Sequence, residues 1–226
     1  MIELQVDPRA LRESYRAATP FPHAAIDGLF SDAVLDGVLA DFPRPEETEW
    51  VRFDNAHEKK LGFRHDSTRI SARVRDFLCF MNSYEMLGFL EELTGIDGLI
   101  PDPYYGGGGL HQIERGGFLE VHVDFNWHPK LRLDRRLNVL VFLNKEWKEE
   151  YGGHLELWNG AECITRILPR FNRTVVFSTT DRSFHGHPHP LGSPAEITRK
   201  SVSLYYYTNG RPHEEQSPPH DTIFRP

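Results

Sequence analysis

Phe118-Leu119-Glu120-Val121-His122-Val123-Asp124 and, after a polar break, Leu137-Asn138-Val139-Leu140-Val141-Phe142-Leu143 decide how the chain is read. Both are short, rich in β-branched and aromatic residues, and followed by turn formers, the pattern of strands and not of helices. Working outward, runs of the same kind fall at Leu110–Glu114, His154–Trp158, Cys163–Leu168, Thr174–Ser178 and Val202–Thr208. Short strands at this spacing, separated by Gly, Pro, Asn and Asp, predict a sandwich or jelly roll.

Upstream the periodicity changes. Ser31 is placed to cap a helix carrying Val34, Leu35, Val38, Leu39 and Phe42 on one face, with Pro43 ending it. A second helix is expected from Thr68 to Met81, and a third from Ser83, with Gly95 where a left-handed terminal residue is wanted. Strands that follow helices, and do not alternate with them, argue against a doubly wound sheet. The expectation is one α+β domain over 1–226 with a mainly β core. Residues 1–100 are its mainly helical support on one sheet, 101–210 the jelly roll, and 211–226 a tail that is either a loose end or a strap over the barrel mouth.

Composition narrows the function. A formal charge of -7 and a pI near 5.9 leave no electrostatic footprint for nucleic acid. The two cysteines, Cys79 and Cys163, sit in apolar stretches and are read as core filling. The start of the chain lacks a basic segment followed by an apolar run, and no stretch has the length of a membrane span, so the reading is a soluble, cytoplasmic protein with no membrane partner.

His122 and Asp124 end a strand two residues apart. Side chains alternate along an extended chain, so both point to one side and can grip one ion. A third donor is expected from another strand, and Ser183-Phe184-His185-Gly186-His187-Pro188-His189 offers histidines at the end of such a run. Alternation puts His185, His187 and His189 on one side, so either of the first two could ligate. Two imidazoles and a carboxylate on one face of an ion leave positions open opposite, which suits Fe(II) handling oxygen, whereas structural zinc closes its fourth position. Arg199 and Ser201 then open a β run, and a guanidinium at that place can hold a carboxylate bidentately.

In this order, His122-x-Asp124, Leu137 to Trp147, Gly152-Gly153-His154-Leu155-Glu156-Leu157, His185 and Arg199 resemble the prolyl 4-hydroxylase-like branch of the 2-oxoglutarate/Fe(II) oxygenases. The resemblance covers Leu110 to Thr208, and Pro20 through Phe42 looks like the helical lead-in of bacterial members. It implies a double-stranded β-helix, Fe(II) held by His122, Asp124 and His185, and 2-oxoglutarate anchored by Arg199, with O2 as second co-substrate. The family pattern Ser-x-His-Gly-x-Pro selects His185 over His187, leaving His187 and His189 as loop or substrate-facing residues. Many members carry a tyrosine where this chain has Phe142. A phenyl ring cannot donate, so Asn138 on the same strand face, or Ser201, is expected to supply that hydrogen bond to the distal carboxylate.

The activity so implied is hydroxylation of an unactivated C–H bond in a small-molecule or peptidyl substrate, with succinate and CO2 as co-products. Retention of Asp124 argues for hydroxylation over halogenation. The Tyr104-Tyr105-Gly106-Gly107-Gly108-Gly109 stretch reads as a flexible lip or a simple connection, and Phe125 to Arg136 as a basic loop that either forms part of the entrance or is simply solvated. His111 and Gln112 are read as lying beside the iron, where either could touch substrate. Two rivals remain: a cupin-like metalloenzyme that is not an oxygenase, which would not need Arg199, and a metal-independent jelly-roll binding module.

Overall fold

The structure, a computed structural model, describes residues 2–63 and 70–225. Four helices pack together: α1 (Arg12–Ala17), α2 (Asp32–Ala40), α3 (Ala72–Met81) and α4 (Tyr84–Thr94). The Ser71 and Ser83 hydroxyls accept from the Val74 and Met86 N–H groups and so start α3 and α4, and Gly95 closes α4 at φ 73°. Ser31 precedes α2 as expected, but its hydroxyl makes no capping hydrogen bond. The expected start of α3 at Thr68 lies outside the described residues.

Fourteen strands follow one another among the described residues: β1 (His23–Asp27), β2 (Trp50–Asp54), β3 (Glu58–Phe63), β4 (Ile100–Pro101), β5 (Gly109–Ile113), β6 (Phe118–Val123), β7 (Trp127–His128), β8 (Leu133–Phe142), β9 (Leu155–Trp158), β10 (Cys163–Ile167), β11 (Arg173–Ser178), β12 (Phe184–His187), β13 (Arg199–Thr208) and β14 (Ile223–Phe224). Ten of them join antiparallel along the path β1-β11-β8-β13-β5-β3-β6-β12-β9-β10, and β2, β4, β7 and β14 pair off it with β3, β13, β8 and β6. The path curls so that its halves face each other: Asn138 of β8 and Arg199 of β13 line one cavity with His122 of β6 and His185 of β12. This is a double-stranded β-helix.

Period-two alternation divides the core in two. Leu137, Val139 and Val141 of β8 and Val202, Leu204 and Tyr206 of β13 join the helix residues Leu35, Phe77, Met81 and Leu90 in the larger cluster. Phe142 faces the other way and packs inside the barrel with Leu155, Leu157, Val175 and Phe177. The helices therefore brace the outer face of the sheet whose inner face carries the polar residues Asn138, Arg199 and Ser201.

Residues 1–100 are more than the helical support expected of them. They contain β1 at one end of the path, and β3 stands in its middle, bonded to both β5 and β6. Glu58-Lys59-Lys60-Leu61-Gly62-Phe63 buries its last three residues consecutively, so it shows neither strand nor helix periodicity. The cysteines are also corrected: Cys79 is exposed and Cys163 half-buried, because each lies off the apolar stripe of its element. Among the described residues no helix is long and apolar enough to cross a membrane.

Candidate metal centre and its pocket

His122 sits directly opposite His185 in the β6–β12 register, and Asp124 follows just past the end of β6. One ligand atom from each of the three lies within 4.8 Å of the others. The Asp124 carboxylate is 3.6 Å from His122 Nε2 and 3.4 Å from His185 Nε2. Each ring is oriented from behind: Nδ1–H of His122 donates to the Glu120 carbonyl at 2.8 Å, and that of His185 to the Ser183 carbonyl at 2.9 Å. Those bonds fix the tautomer and leave both Nε2 lone pairs facing the carboxylate. Burial pushes His185 down to about 4, so its imidazole is neutral and able to ligate near pH 7. Burial would raise the Asp124 carboxyl, but Arg135, His185 and His122 outweigh it and hold it well below the usual carboxylate range.

Arg135 is the residue that the sequence reading missed. Read as part of a basic entrance loop, it belongs to β8 and is 1% exposed, with its guanidinium 3.1 Å from Asp124 and clamped between the rings of Phe125 (4.4 Å) and Tyr205 (3.5 Å). Asn138 completes the brace: its amide donates to Asp124 at 2.7 Å, and its oxygen accepts from Arg135 Nε and Nη2 at 3.0 and 2.6 Å. Asn138 thus supports Asp124 and does not stand beside Arg199. It pairs with Tyr205, six residues further along β13 than Arg199, about 20 Å at strand rise.

Arg199 lies at the floor of the same cavity, whose volume is about 490 Å³. Its Nε donates to the Gly153 carbonyl at 2.8 Å and its guanidinium lies over the Phe142 ring at 4.9 Å. Burial lowers its pKa to about 9, and no acidic group among the described residues is a cause of that shift. Ser201, two residues on, also lines the cavity, across from Phe142 in the register. His187 shares this wall, whereas His189 is exposed beyond Pro188. His111 lines the cavity, but Gln112 points away and is tied to Thr198 and the Pro43 carbonyl.

Of the two readings of the tail, the structure takes the strap. Asn126 holds Ser217, the Pro218 carbonyl and the His220 N–H, and β14 pairs with β6 at Val123 and His122. Phe224 stacks on His57 at 4.4 Å and reaches the His122 ring at 5.6 Å, with Thr222 beside it in the cavity wall.

The comparisons with known proteins bear on this geometry. The stretch 108–207, which contains His122, Asp124, His185 and Arg199, matches the family model for the 2OG-Fe(II) oxygenase superfamily. Residues 108–207 belong to that superfamily. The cofactors of that superfamily are Fe(II) and 2-oxoglutarate, and the chain has a cavity whose donor set fits both, with two imidazoles and a carboxylate for the metal and a buried guanidinium for the dicarboxylate. The fold is similar to a prolyl-4-hydroxylase from Pseudomonas putida at 15% identity and TM-score 0.65, over 90% of this chain and 100% of that one. It is similar to a Trichoplax adhaerens prolyl hydroxylase in complex with a hypoxia inducible factor peptide fragment, at 16% identity and TM-score 0.59 over 88% of each chain. HygX from Streptomyces hygroscopicus, with nickel, 2-oxoglutarate and hygromycin B bound, aligns at 10% identity and TM-score 0.56 over 88% of this chain and 91% of that one. At such identities the likeness is one of fold. No curated protein sequence matches the chain.

Proposed function

We propose that the chain hydroxylates an unactivated C–H bond of a small-molecule or peptidyl substrate, with His122, Asp124 and His185 holding Fe(II) and Arg199 anchoring 2-oxoglutarate. The observation that carries the reading is the convergence of three ligand atoms within 4.8 Å in a cavity that also buries Arg199 without an acidic partner among the described residues. Bound Fe(II) and 2-oxoglutarate supply activation of O2 coupled to oxidative decarboxylation of the keto acid to succinate and CO2.

The protein's own part is positional. The Glu120 and Ser183 carbonyls aim the two Nε2 atoms, while Arg135 and Asn138 fix the Asp124 carboxylate and keep it ionised. Arg199 offers its Nη groups to the distal carboxylate, with Ser201 as a neighbouring hydroxyl donor. Phe125, Tyr205 and Phe224 line the cavity with aromatic surface that would keep bulk water from the reacting carbon. The substrate class spans the two kinds of ligand seen in the fold relatives, a peptide with the Trichoplax enzyme and hygromycin B with HygX. Two free cysteines, one of them exposed, suit the reducing cytoplasm to which we assign the enzyme.

A cupin-like metalloenzyme would hold its metal with the same donors but has no use for a buried cation at the floor. Anaerobic titration with Fe(II) and 2-oxoglutarate separates the two. The oxygenase develops the weak visible charge-transfer band of the chelate and, once aerated, releases succinate. A protein that binds Fe(II) with no such band, and whose metal site ignores 2-oxoglutarate, is not this enzyme.

A further inference from the structure

His187 is a buried polar group of the cavity that nothing above employs. It is 4% exposed, lines the same cavity as Arg199 and His122, and neither ring nitrogen has a hydrogen-bond partner. An imidazole carries at least one N–H, so a donor is held inside the barrel without an acceptor. Buried donors are rarely left so, and the missing partner is expected to be something that enters the cavity.

Its place says what that is. On β12 and β9, Phe184 faces Trp158, His185 faces Leu157 and Gly186 faces Glu156. One step beyond the last of these pairs, the register would set His187 against Leu155, two residues from Gly153, whose carbonyl holds Arg199. His187 therefore stands between the metal donors and the guanidinium, about 7 Å along the strand from His185. The groups whose charge acts on it are, in order, Arg199, Lys60 and His122, and Lys60 is itself paired with Glu58 at 2.7 Å. With Nε engaged by Gly153, Arg199 has two Nη groups for an incoming carboxylate. A carboxylate has about four acceptor sites, so a bidentate guanidinium leaves lone pairs to be met from the side. Phe142 on the face below offers none.

We infer that His187 donates an N–H to the 2-oxoglutarate carboxylate seated on Arg199, which makes it a cosubstrate-binding residue. The inference rests on the reading of the pocket given under Proposed function.

The test is calorimetric titration of the Mn(II)-loaded protein with 2-oxoglutarate and with 2-oxobutanoate, which keeps the keto acid but lacks the distal carboxylate. In His187→Leu the Kd for 2-oxoglutarate is expected to rise about ten- to a hundredfold, the range for a lost hydrogen bond to a charged group. His187→Gln, which retains a donor, should recover to within about fivefold, with Mn(II) and 2-oxobutanoate affinities unchanged in both variants. Unchanged 2-oxoglutarate binding in His187→Leu, or equal loss of both keto acids, overturns the inference. If the variants do not fold, histidine-¹⁵N spectra of the Zn(II)-loaded native protein decide. A slowly exchanging imidazole N–H that appears with 2-oxoglutarate but not with 2-oxobutanoate supports it, and its absence overturns it. Native protein that binds Mn(II) but no 2-oxoglutarate defeats the pocket reading as well, whereas a failure confined to the variants removes His187 alone.

Discussion

Replacing Arg199 by methionine keeps the stem that packs on Phe142 and removes the charge. Burial has brought the guanidinium from 12.5 to about 9, so it remains charged at pH 7 but at an energetic disadvantage to the fold. At about 1.4 kcal/mol per pH unit the disadvantage is on the order of 5 kcal/mol. For a cation whose folded value is lowered, this penalty is present in full below about pH 9 and fades as pH rises toward 12.5. Losing the bond to the Gly153 carbonyl takes back about 1–3 kcal/mol, so Arg199→Met is predicted to be at least as stable as the native chain without 2-oxoglutarate. With the cosubstrate the order reverses. At a hundred times its Kd, 2-oxoglutarate stabilises the native protein by about 2.7 kcal/mol. Truncating a buried partner weakens binding by about 2–4 kcal/mol, leaving the variant a gain of less than about 1 kcal/mol at the same concentration. Urea unfolding of the Mn(II)-loaded proteins with and without 2-oxoglutarate measures both quantities. A variant that is destabilised without the cosubstrate, yet stabilised by it as much as the native protein, would show Arg199 to be a structural residue and refute the reasoning.

Asn138→Leu leaves a lone pair of Asp124 and two N–H groups of Arg135 without their partner, and we expect about tenfold weaker Mn(II) binding by equilibrium dialysis with little change in fold. In the metal-free protein His185 titrates at about 4 when folded against 6.5 when unfolded, so stability is lost as pH falls through that window, by about 1.4 kcal/mol per pH unit from this group, and His185→Gln should flatten that share of the slope in unfolding curves. Gly186→Ala would bring a Cβ within 2.8–2.9 Å of the Glu120 and Leu119 carbonyls, backbone that cannot step aside, so we expect a loss of about 2 kcal/mol or more together with failure to retain metal. Phe224→Ala removes the ring between His57 and His122, and severalfold more 2-oxoglutarate should be consumed per substrate hydroxylated, read as succinate, with the Kd for 2-oxoglutarate unchanged.

What the sequence made legible was whatever depends on parity along a strand. His122 and Asp124 share a side because they are two apart, and Arg199 and Ser201 face inward because Val202, Leu204 and Tyr206 face the helices. Parity does not report depth. Asn138 was assigned the right face and the wrong end, about 20 Å from Arg199 along β13. Burial of a charge was equally hidden: Arg135 looks like any loop arginine until Tyr205 of β13 and Asp124 and Phe125 of the segment after β6 close round it. The strap was undecidable for a similar reason, since Ile223-Phe224 is a strand only because β6 has an edge to offer it.

The irregularity in β6 ties these local facts to the site. His185 faces His122 but His187 faces Leu119, so β6 uses three steps where β12 uses two, and one residue of β6 is extra. The slip falls next to Glu120, whose carbonyl is turned to accept from His122 Nδ1 while its N–H goes to the His57 carbonyl at the β2–β3 turn. That same carbonyl presses so closely on Gly186 that no side chain fits there. A regular ladder would engage the Glu120 carbonyl with its neighbour strand, and the imidazole would lose the bond that aims Nε2 at Asp124. One surplus residue, matched by one glycine, thus sets the orientation of His122, while ordinary alternation along β12 turns His187 to the same side as His185.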